Sequence, residues 1–242
     1  METQRTGDTA EHHGIEHLLL DDHRWAERVA ILLWAIAGLS FVAMAVSPTR
    51  DVIDRFDQWF YDQTFPIKWG PITAMSYGLA FLGSWMFVWP LRLVVSVVLA
   101  AKKRWVALGA WLLPVLLSEP LIGSLKAAYN RPRPPEALVA VASAAFPSGH
   151  AIAGSVMAIS LVIVLVPAGP ARRNLEIAAA GFAVLMAGSR TYLGAHWLTD
   201  VLGGVALGAA CAIGGAALVH RYVRSRTNIQ SQSQSMPMTD DG

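Results

Sequence analysis

Long apolar runs, separated by short polar segments, dominate the chain. A helix needs roughly 20 apolar residues to cross a ~30 Å hydrocarbon core, and the chain has six apolar runs, of which only the one at 175–188 is clearly shorter than that. Most of the basic residues lie in short clusters between the runs, as they do in membrane proteins. The pattern predicts an all-α, polytopic membrane protein with six transmembrane helices at about 28–46, 71–100, 105–125, 147–166, 175–188 and 198–219.

The two ends of the chain are polar. Residues 1–27 and 221–242 hold too few apolar side chains to bury a core, so we expect cytoplasmic disordered tails around a transmembrane domain at 28–220. A short helix at the membrane surface is predicted at 15–20. The first apolar run is long enough to stay in the membrane, which favours a signal anchor over a cleaved signal peptide.

Composition narrows the class of protein. Hydrophobic residues make up 54% of the chain and charged residues 15%, with a mean hydropathy of +0.43, which excludes an ordinary soluble domain. The net charge of +2 comes from clusters between spans, so nothing indicates nucleic-acid binding. The single Cys211 excludes an intrachain disulfide and a cysteine metal cluster. Four N-terminal histidines lack the spacing of a metal site and are interpreted as solvated: His12, His13, His17 and His23.

Polar features interrupt the apolar pattern at several points. The second run would be roughly 45 Å long as one helix, so we expect it to tilt, to kink at Pro90 or to protrude. For Arg92 in the same run, snorkelling and burial both stay open. In the third run, Glu119 is expected to have a structural partner, since an acid at that depth is unfavourable alone. Residues 49–70 form a predicted loop whose aromatic side chains are typical of an anchoring belt at the headgroups, with lipid binding as the alternative.

The basic residues also predict an orientation. Six spans place both termini on one side of the membrane, and twelve of the 19 Lys and Arg residues fall on that side, against seven on the other. By the positive-inside rule the tails are cytoplasmic and the opposite face is extracytoplasmic.

One stretch, Ser189–Asp200, reads S-R-T-Y-L-G-A-H-W-L-T-D and stands at the mouth of a span. His196 and Asp200 are four residues apart, so on a helix they share a face and the carboxylate can accept from one imidazole nitrogen. The other nitrogen is left free to attack. Arg190 offers a planar fork of donors that suits a phosphate. This combination suggests nucleophilic attack on phosphorus.

Two further stretches are predicted to lie at the same membrane face. Pro147-Ser148-Gly149-His150 opens the fourth span, and the free N–H groups of a helix N-terminus bind anions. Lys126 ends the third span and is followed by N-R-P-R-P-P. Ionisable groups gathered on one side of a membrane indicate a functional site. The group comprises Lys126, Arg131, Arg133, Ser148, His150, Arg190, His196 and Asp200.

The three stretches resemble the signature of the type 2 phosphatidic acid phosphatase superfamily of membrane lipid phosphatases. Its motifs are Lys-x6-Arg-Pro, Pro-Ser-Gly-His and Ser-Arg-x5-His-x3-Asp, and every spacing fits. The matching positions are Lys126, Arg133-Pro134, Pro147–His150, Ser189-Arg190, His196 and Asp200. Arg131 begins a second Arg-Pro pair without the family spacing, so we expect no direct role for it in the site.

The resemblance implies a role for each matching residue. His196 would be the nucleophile that forms a phosphohistidine, Asp200 would fix its tautomer, and His150 would be general acid and then base. The phosphoryl oxygens would be held by Lys126, Arg133, Ser148, Gly149 and Arg190. Three fixed cations would replace a metal, so hydrolysis without a metal or another cofactor is expected.

The resemblance leads to a lipid phosphatase with its site at the outer face of the cytoplasmic membrane. Compatible substrates are a polyprenyl diphosphate such as undecaprenyl pyrophosphate, phosphatidate and phosphatidylglycerol phosphate. A lipid phosphotransferase stays open, because an acceptor hydroxyl could replace water. A non-catalytic lipid-phosphate binder or transporter is the other alternative, although its expected mark is loss of His150, His196 or Asp200. Besides the lipid substrate and the bilayer, no obligate protein partner is inferred.

Overall fold

The computed structural model describes residues 23–167 and 169–234. Within these ranges the chain is helical and contains no strand, so the predicted all-α class is confirmed. The helices are α1 (His23–Ala45), α2 (Ser47–Thr64), α3 (Gly70–Leu82), α4 (Trp85–Ala101), α5 (Trp105–Tyr129), α6 (Gly149–Leu165), α7 (Pro170–Tyr192) and α8 (Leu198–Gln234).

Local sequence sets several helix ends. Pro48 and Pro71 lie in the first turns of α2 and α3. An N–H in the first turn has no acceptor within the helix, so the missing N–H of proline costs nothing there, and its fixed φ suits a helix. Asn130 ends α5 in the left-handed conformation, with φ at 41°, and its N–H donates to the Lys126 carbonyl. The chain therefore turns out of α5 directly after the first motif residue.

Helix α8 is the centre of the bundle and packs against α1, α5 and α6. Its glycines allow close approach: a Cβ on Gly204 would lie 2.8 Å from the Ser148 carbonyl oxygen, and one on Gly208 would lie 2.6 Å from that of Ile152. The close packing predicted for the glycine-rich last span is therefore present. It brings together the N-terminal ends of α6 and α8.

Length and hydropathy mark three of the described helices as candidate membrane spans: Arg24–Ala45, Trp105–Tyr129 and Leu198–Arg226. The pair α3 and α4 counts as a fourth if the two helices form one broken span. Helix α6 is apolar but has only 17 residues. The polytopic membrane architecture is confirmed, whereas the number of six spans stays a prediction.

The second predicted span is broken, but not at Pro90. Helices α3 and α4 meet at 49° around Gly83 and Ser84, while Pro90 lies inside α4. A Cβ on Gly83 would lie 2.8 Å from His150 Cδ2, so only a residue without a side chain lets this turn approach His150 so closely. Proline inside a membrane helix is tolerated where neighbouring groups satisfy the freed backbone carbonyl.

The loop predicted over residues 49–70 is wrong for most of its length, because residues 47–64 form α2. Charged and polar residues interrupt the apolar positions of this helix, so a search for continuous apolar runs does not detect it. The exposed face includes Phe56 and Trp59, whose rings lie 5.9 Å apart. Such rings suit the headgroup level that the sequence predicted for them.

Glu119 has the structural partner that was expected. Its carboxylate accepts from Arg92 Nη1 at 2.5 Å, which joins α4 to α5. The Arg92 side chain is buried, so burial rather than snorkelling answers the question left open for this residue. The pair lies apart from the three motifs.

The predicted tails are only partly described. Helix α8 continues to Gln234, so the segment that begins at Arg221 is helical at first, because a helix that packing has already nucleated extends at a low cost per residue. Residues 1–22 and 235–242 lie outside the described residues. The predicted surface helix at 15–20, the histidines at 12, 13 and 17 and the side chain of His23 fall there as well. The domain boundaries at 28 and 220 stay a prediction.

Candidate active site

The three motifs meet at one end of the bundle. They occupy the C-terminal ends of α5 and α7, the N-terminal ends of α6 and α8, and the segments between these helices. Direct contacts or electrostatic interactions join each motif to the others. The predicted site residues that are brought together are Lys126, Arg133, Ser148, Gly149, His150, Arg190, His196 and Asp200.

His196 and Asp200 face each other, although not through the helical register that the sequence suggested. Helix α8 begins at Leu198, so His196 precedes it, and Asp200 in the first turn folds back over the helix end. His196 Nδ1 lies 3.6 Å from Asp200 Oδ2, an electrostatic contact longer than a hydrogen bond. The same oxygen accepts from the Trp197 N–H at 2.9 Å. The carboxylate is thus held beside Nδ1, and Nε2 points away from it.

Nε2 faces Arg133. The guanidinium Nη1 of Arg133 lies 3.2 Å from His196 Nε2 and also donates to the Ala195 carbonyl. Its other donors bind the carbonyls of Ser143 at 2.7 Å and Ala144 at 3.2 Å and the Ser143 hydroxyl at 3.2 Å. Lys126 Nζ likewise donates to the Ala144 carbonyl. Because these partners carry no formal charge, both cations remain able to attract an anion.

Arg190 and His150 complete the polar end of the bundle. The Arg190 side chain is buried, and its Nε has no hydrogen-bond partner among the residues that the structure describes. A buried donor in this condition is unfavourable until a ligand accepts from it. His150, in the first turn of α6, interacts electrostatically with Arg190, His196 and Arg133, and it contacts the backbone of Ala80. It therefore lies between the cations and the break in α3 and α4.

Ser148 has a structural task in addition to the phosphate contact predicted for it. Its hydroxyl accepts from the Ala151 N–H at 3.5 Å as the cap of α6, and its own N–H donates to the Asp200 carbonyl at 3.0 Å. Gly149 is the first residue of α6, where an N–H has no partner within the helix. A Cβ on Gly149 would lie 4.0 Å from Lys126 Cε, so this N–H is close to a cation.

Burial keeps His196 neutral. It lowers the pKa of the His196 imidazole to about 4, while Asp200 opposes this shift and Arg133 and Arg190 add to it. Burial also lowers the pKa of Arg133. Near pH 7 the imidazole therefore carries no proton on one nitrogen, and a nucleophile needs that free lone pair.

Residues outside the motifs support the site from α2. Arg131 donates to Asp200 Oδ1 at 2.6 Å and to Asp57 Oδ2 at 2.8 Å, so it joins the site through a motif carboxylate, and the expectation that it has no direct role there stays a prediction. The sequence carried two signals for this arrangement: the extra Arg-Pro pair, and the spacing of Asp54 and Asp57, which places them on one helical face. Neither signal named a partner.

Aromatic side chains connect α2 and α3 to the segment that holds His196. The Tyr61 ring stacks on the Phe65 ring, with 4.7 Å between their centroids, and meets the Trp197 ring edge-on, with 5.7 Å between centroids. Lys68 Nζ lies 3.9 Å from the centre of the Phe65 ring and donates to the Tyr192 carbonyl at 2.9 Å. Tyr61 therefore touches the segment between α7 and α8 through Trp197, and Lys68 touches the end of α7 through Tyr192.

A chain with this fold and these motifs has known relatives. The family model of the PAP2 superfamily matches residues 105–225. Phosphatidylglycerophosphatase B of Bacillus subtilis (strain 168) is 31% identical over 177 aligned residues, and the match covers 70% of this chain and 86% of that protein. The chain belongs to the PAP2 superfamily. The resemblance seen in the three motifs is thereby confirmed.

Two solved structures share the PAP2 fold of this chain. One is the crystal structure of a transmembrane PAP2-type phosphatidylglycerolphosphate phosphatase from Bacillus subtilis, with a TM-score of 0.62 and 25% identity over 81% of this chain and 96% of that one. The other is Aquifex aeolicus LpxE, with a TM-score of 0.54 and 21% identity over 65% of this chain and 93% of that one, a likeness of fold alone. This PAP2 protein is a membrane-embedded lipid phosphatase, so a non-catalytic binder or transporter is set aside.

Proposed function

We propose that this PAP2 enzyme removes phosphate from a lipid phosphate through a phosphohistidine on His196. The observation that carries the proposal is the placement of the imidazole, with Nδ1 beside the Asp200 carboxylate and Nε2 at 3.2 Å from Arg133. An imidazole held between a carboxylate and a cation presents a nucleophilic nitrogen to the anion that the cation binds.

Phosphate binding draws on three parts of the chain. Lys126, Arg133 and Arg190 supply the positive charge, and the Gly149 N–H and the Ser148 hydroxyl supply further donors. The unpartnered Nε of Arg190 gains an acceptor when phosphate enters, which offsets the unfavourable state of the empty site. These fixed cations stabilise the charge that grows on the phosphoryl oxygens.

The first chemical step forms the covalent intermediate. His196 Nε2 attacks phosphorus as the bond from phosphorus to the lipid oxygen breaks, and His150 gives a proton to that oxygen. Asp200 accepts from Nδ1 and stabilises the positive charge on the imidazole. The 3.6 Å contact is expected to shorten at this stage, as catalytic hydrogen bonds do on substrate binding.

The second step returns the enzyme to its starting state. His150, now neutral, takes a proton from water, and the resulting hydroxide attacks phosphorus while the P–N bond breaks. Inorganic phosphate leaves and His196 recovers its lone pair. Because side chains supply every charge in this cycle, we expect turnover to be insensitive to chelators.

Phosphatidylglycerol phosphate is the first substrate to test. The similar protein of Bacillus subtilis is named phosphatidylglycerophosphatase B, and a similar solved structure is titled a phosphatidylglycerolphosphate phosphatase. Phosphatidate and a polyprenyl diphosphate are the other lipids that the cation cluster could serve, since all three present a terminal phosphoryl group, as a monoester or, in the diphosphate, as an anhydride.

The experiment compares these three lipids with the purified, detergent-solubilised protein. Inorganic phosphate should be released from at least one of them, with no loss in a chelator, and His196→Ala should abolish release. His220→Ala is the matched control, because His220 lies on α8 about five helical turns beyond Asp200 and therefore far from the site. Transfer of phosphate to an added alcohol without release of inorganic phosphate would instead identify a phosphotransferase.

We further propose that the site faces the outside of the cell and both termini the cytoplasm, as the distribution of Lys and Arg supports. A cysteine introduced at Glu136 should react with an impermeant thiol reagent in intact cells, whereas tags at the termini should stay protected. Labelling at position 136 only after permeabilisation would reverse the orientation. Cys211 is buried and gives a low background.

A further inference from the structure

Arg131 joins aspartates that come from two different helices. Its Nη1 donates to Asp200 Oδ1 at 2.6 Å, and its Nη2 donates to Asp57 Oδ2 at 2.8 Å and to Asp54. The exposed fraction is 2% for the Arg131 side chain and 0% for those of Asp57 and Asp200. The planar fork of a guanidinium can bind two carboxylates in fixed directions at once.

Asp57 makes a second connection, to the first turn of α8. Its Oδ1 accepts from the Thr199 N–H at 3.0 Å, and its Oδ2 accepts from the Thr199 hydroxyl. The N–H groups of a first turn have no partner within their own helix, and the positive end of the helix dipole favours a carboxylate there. A residue of α2 therefore caps the helix that carries Asp200. Arg131 Nη1 closes the ring by donating to the Thr199 hydroxyl at 3.0 Å.

These contacts hold Asp200 more tightly than His196 does. Asp200 lies 2.6 Å from Arg131 and 2.9 Å from the Trp197 N–H, compared with 3.6 Å from His196 Nδ1. The orientation of the carboxylate is thus fixed before any hydrogen bond to the imidazole forms. Burial raises the pKa of Asp57, and hydrogen bonds from Thr199 and Arg131 oppose this shift. The positive charge of Arg131 therefore stabilises the buried carboxylates of Asp57 and Asp200 beside each other.

We propose that Arg131 and Asp57 are positioning residues for the phosphatase reaction, which hold Asp200 and the first turn of α8 where the carboxylate faces His196. The inference rests on the roles proposed above for His196 and Asp200. Arg131 acts through Asp200, and its charge is balanced by carboxylates, so it does not hold phosphate. Through Asp57, α2 becomes part of the catalytic unit.

The first test replaces Arg131 in the full-length protein in detergent. Arg131→Gln should lower kcat and the rate of phosphoenzyme formation about tenfold to a hundredfold, the range typical for groups that orient a catalytic ligand, with KM changed less than about twofold. Arg131→Lys should recover part of kcat, because an ammonium keeps the charge but cannot bind both carboxylates in the same fork. Asp57→Asn should show a smaller loss of the same kind.

The second test asks whether Arg131 acts through Asp200. In an Asp200→Asn background, Arg131→Gln should reduce kcat by less than about twofold further, because the group that it positions has already lost its charge. Arg172→Gln is the matched control, since Arg172 is also buried and paired with an acid, Glu176 at 2.9 Å, at the other end of α7. It should lower the melting temperature without changing kcat.

The outcomes separate this inference from the proposed function. Full activity of Asp200→Asn would remove the proposed mechanism and the inference together. A defective Asp200→Asn combined with a wild-type kcat for Arg131→Gln would overturn only the positioning role. The positioning role is also overturned if Arg131→Gln lowers kcat by the same factor in the Asp200→Asn background as in the wild type. If Arg131→Gln does not fold, Arg131→Lys and Asp57→Asn provide the same two comparisons.

Discussion

Arg131 and Arg133 stand in the same segment between α5 and α6, yet their surroundings differ in kind. Arg131 is buried and donates to carboxylates of α2 and α8. Arg133 is half-buried, donates to backbone carbonyls and faces His196 Nε2. Aspartates balance the charge of Arg131, whereas none of the hydrogen-bond partners described for Arg133 carries a negative charge.

On the roles proposed for them, one segment supplies both a structural arginine and a binding arginine. A carbonyl fixes the direction of a guanidinium without neutralising it, whereas a carboxylate does both. Arg190 follows the pattern of Arg133, because its buried Nε lacks an acceptor in the described part of the chain. On the roles proposed here, the cations that bind substrate differ from Arg131 in the charge of their partners and not in their exposure.

The largest effect is expected from removing the nucleophile that Arg133 faces. His196→Ala should abolish the phosphoenzyme and reduce turnover by about 10⁴-fold or more. His150→Ala should still form the intermediate from an ester with a good leaving group, but should hydrolyse it slowly, so that labelled phosphate accumulates on the protein. The bond should be acid-labile and base-stable. Label on a serine, or turnover by His196→Ala, would contradict this assignment.

The two arginines should then separate in their response to inorganic phosphate. Arg133→Gln is expected to lower kcat/KM about 10²- to 10³-fold, as the loss of a transition-state donor does, and to weaken competitive inhibition by phosphate. Arg131→Gln should leave the inhibition constant for phosphate within about twofold of wild type, because its charge is already balanced. Equal weakening in both variants would show that the contrast in their partners has no functional meaning.

A third comparison comes from the acid limb of the pH profile, where the rate of phosphoenzyme formation falls at low pH. In the proposed mechanism only neutral His196 attacks, and burial lowers the pKa of its imidazole to about 4, so phosphoenzyme formation should persist below pH 6 and fall as the pH approaches about 4. Arg133 disfavours the protonated imidazole, so Arg133→Gln should raise this pKa and move the limb to higher pH. Single-turnover rates with an activated ester measure this pH dependence without a contribution from leaving-group protonation. If the acid limb of Arg133→Gln stays at the wild-type pH, Arg133 does not influence the pKa of His196.

The smallest effects are expected on the exposed side of α2, opposite Asp57, and just beyond its end. Trp59→Ala or Trp69→Ala should reduce activity on a lipid substrate by about threefold to tenfold, but activity on a short water-soluble ester by less than about twofold, because only the lipid meets the ring at the headgroup level. Trp105→Ala is the control, since Trp105 is equally exposed but begins α5, at the opposite end from the site. Equal losses on both substrates would make these rings structural only.

Sequence reasoning predicted those parts of the molecule that depend on local pattern. Apolar runs identified the helices that form the bundle, and the spacing of three motifs selected residues that the structure brings together. Helix α2 was missed because its charges interrupt every apolar run, and the break at Gly83 was missed because proline is the stronger local signal. His196 and Asp200 would share a helical face only if the chain were helical at both, and His196 precedes α8, which begins at Leu198 as the last predicted span does.

The role of Arg131 could not be predicted in this way. Its partners Asp57 and Asp200 lie far away in sequence on either side, and no periodicity connects residues across such distances. The motif spacing excluded Arg131 from direct contact with phosphate, in agreement with its partners in the structure. That spacing contains no information about which buried carboxylates the arginine would meet.

The bond between Asp57 and Thr199 spans 142 residues and has a consequence for biogenesis. A chain that enters the membrane from its N-terminus places α2 early, and α8 arrives last. Until then Asp57 lacks the helix end that it caps, and His196 lacks its carboxylate. On the roles proposed for His196 and Asp200, we expect catalytic competence only after the final helix has been inserted. An incompletely synthesised chain should then leave the surrounding lipids untouched. Phosphate release from ribosome-stalled chains that end before Leu198 would measure this.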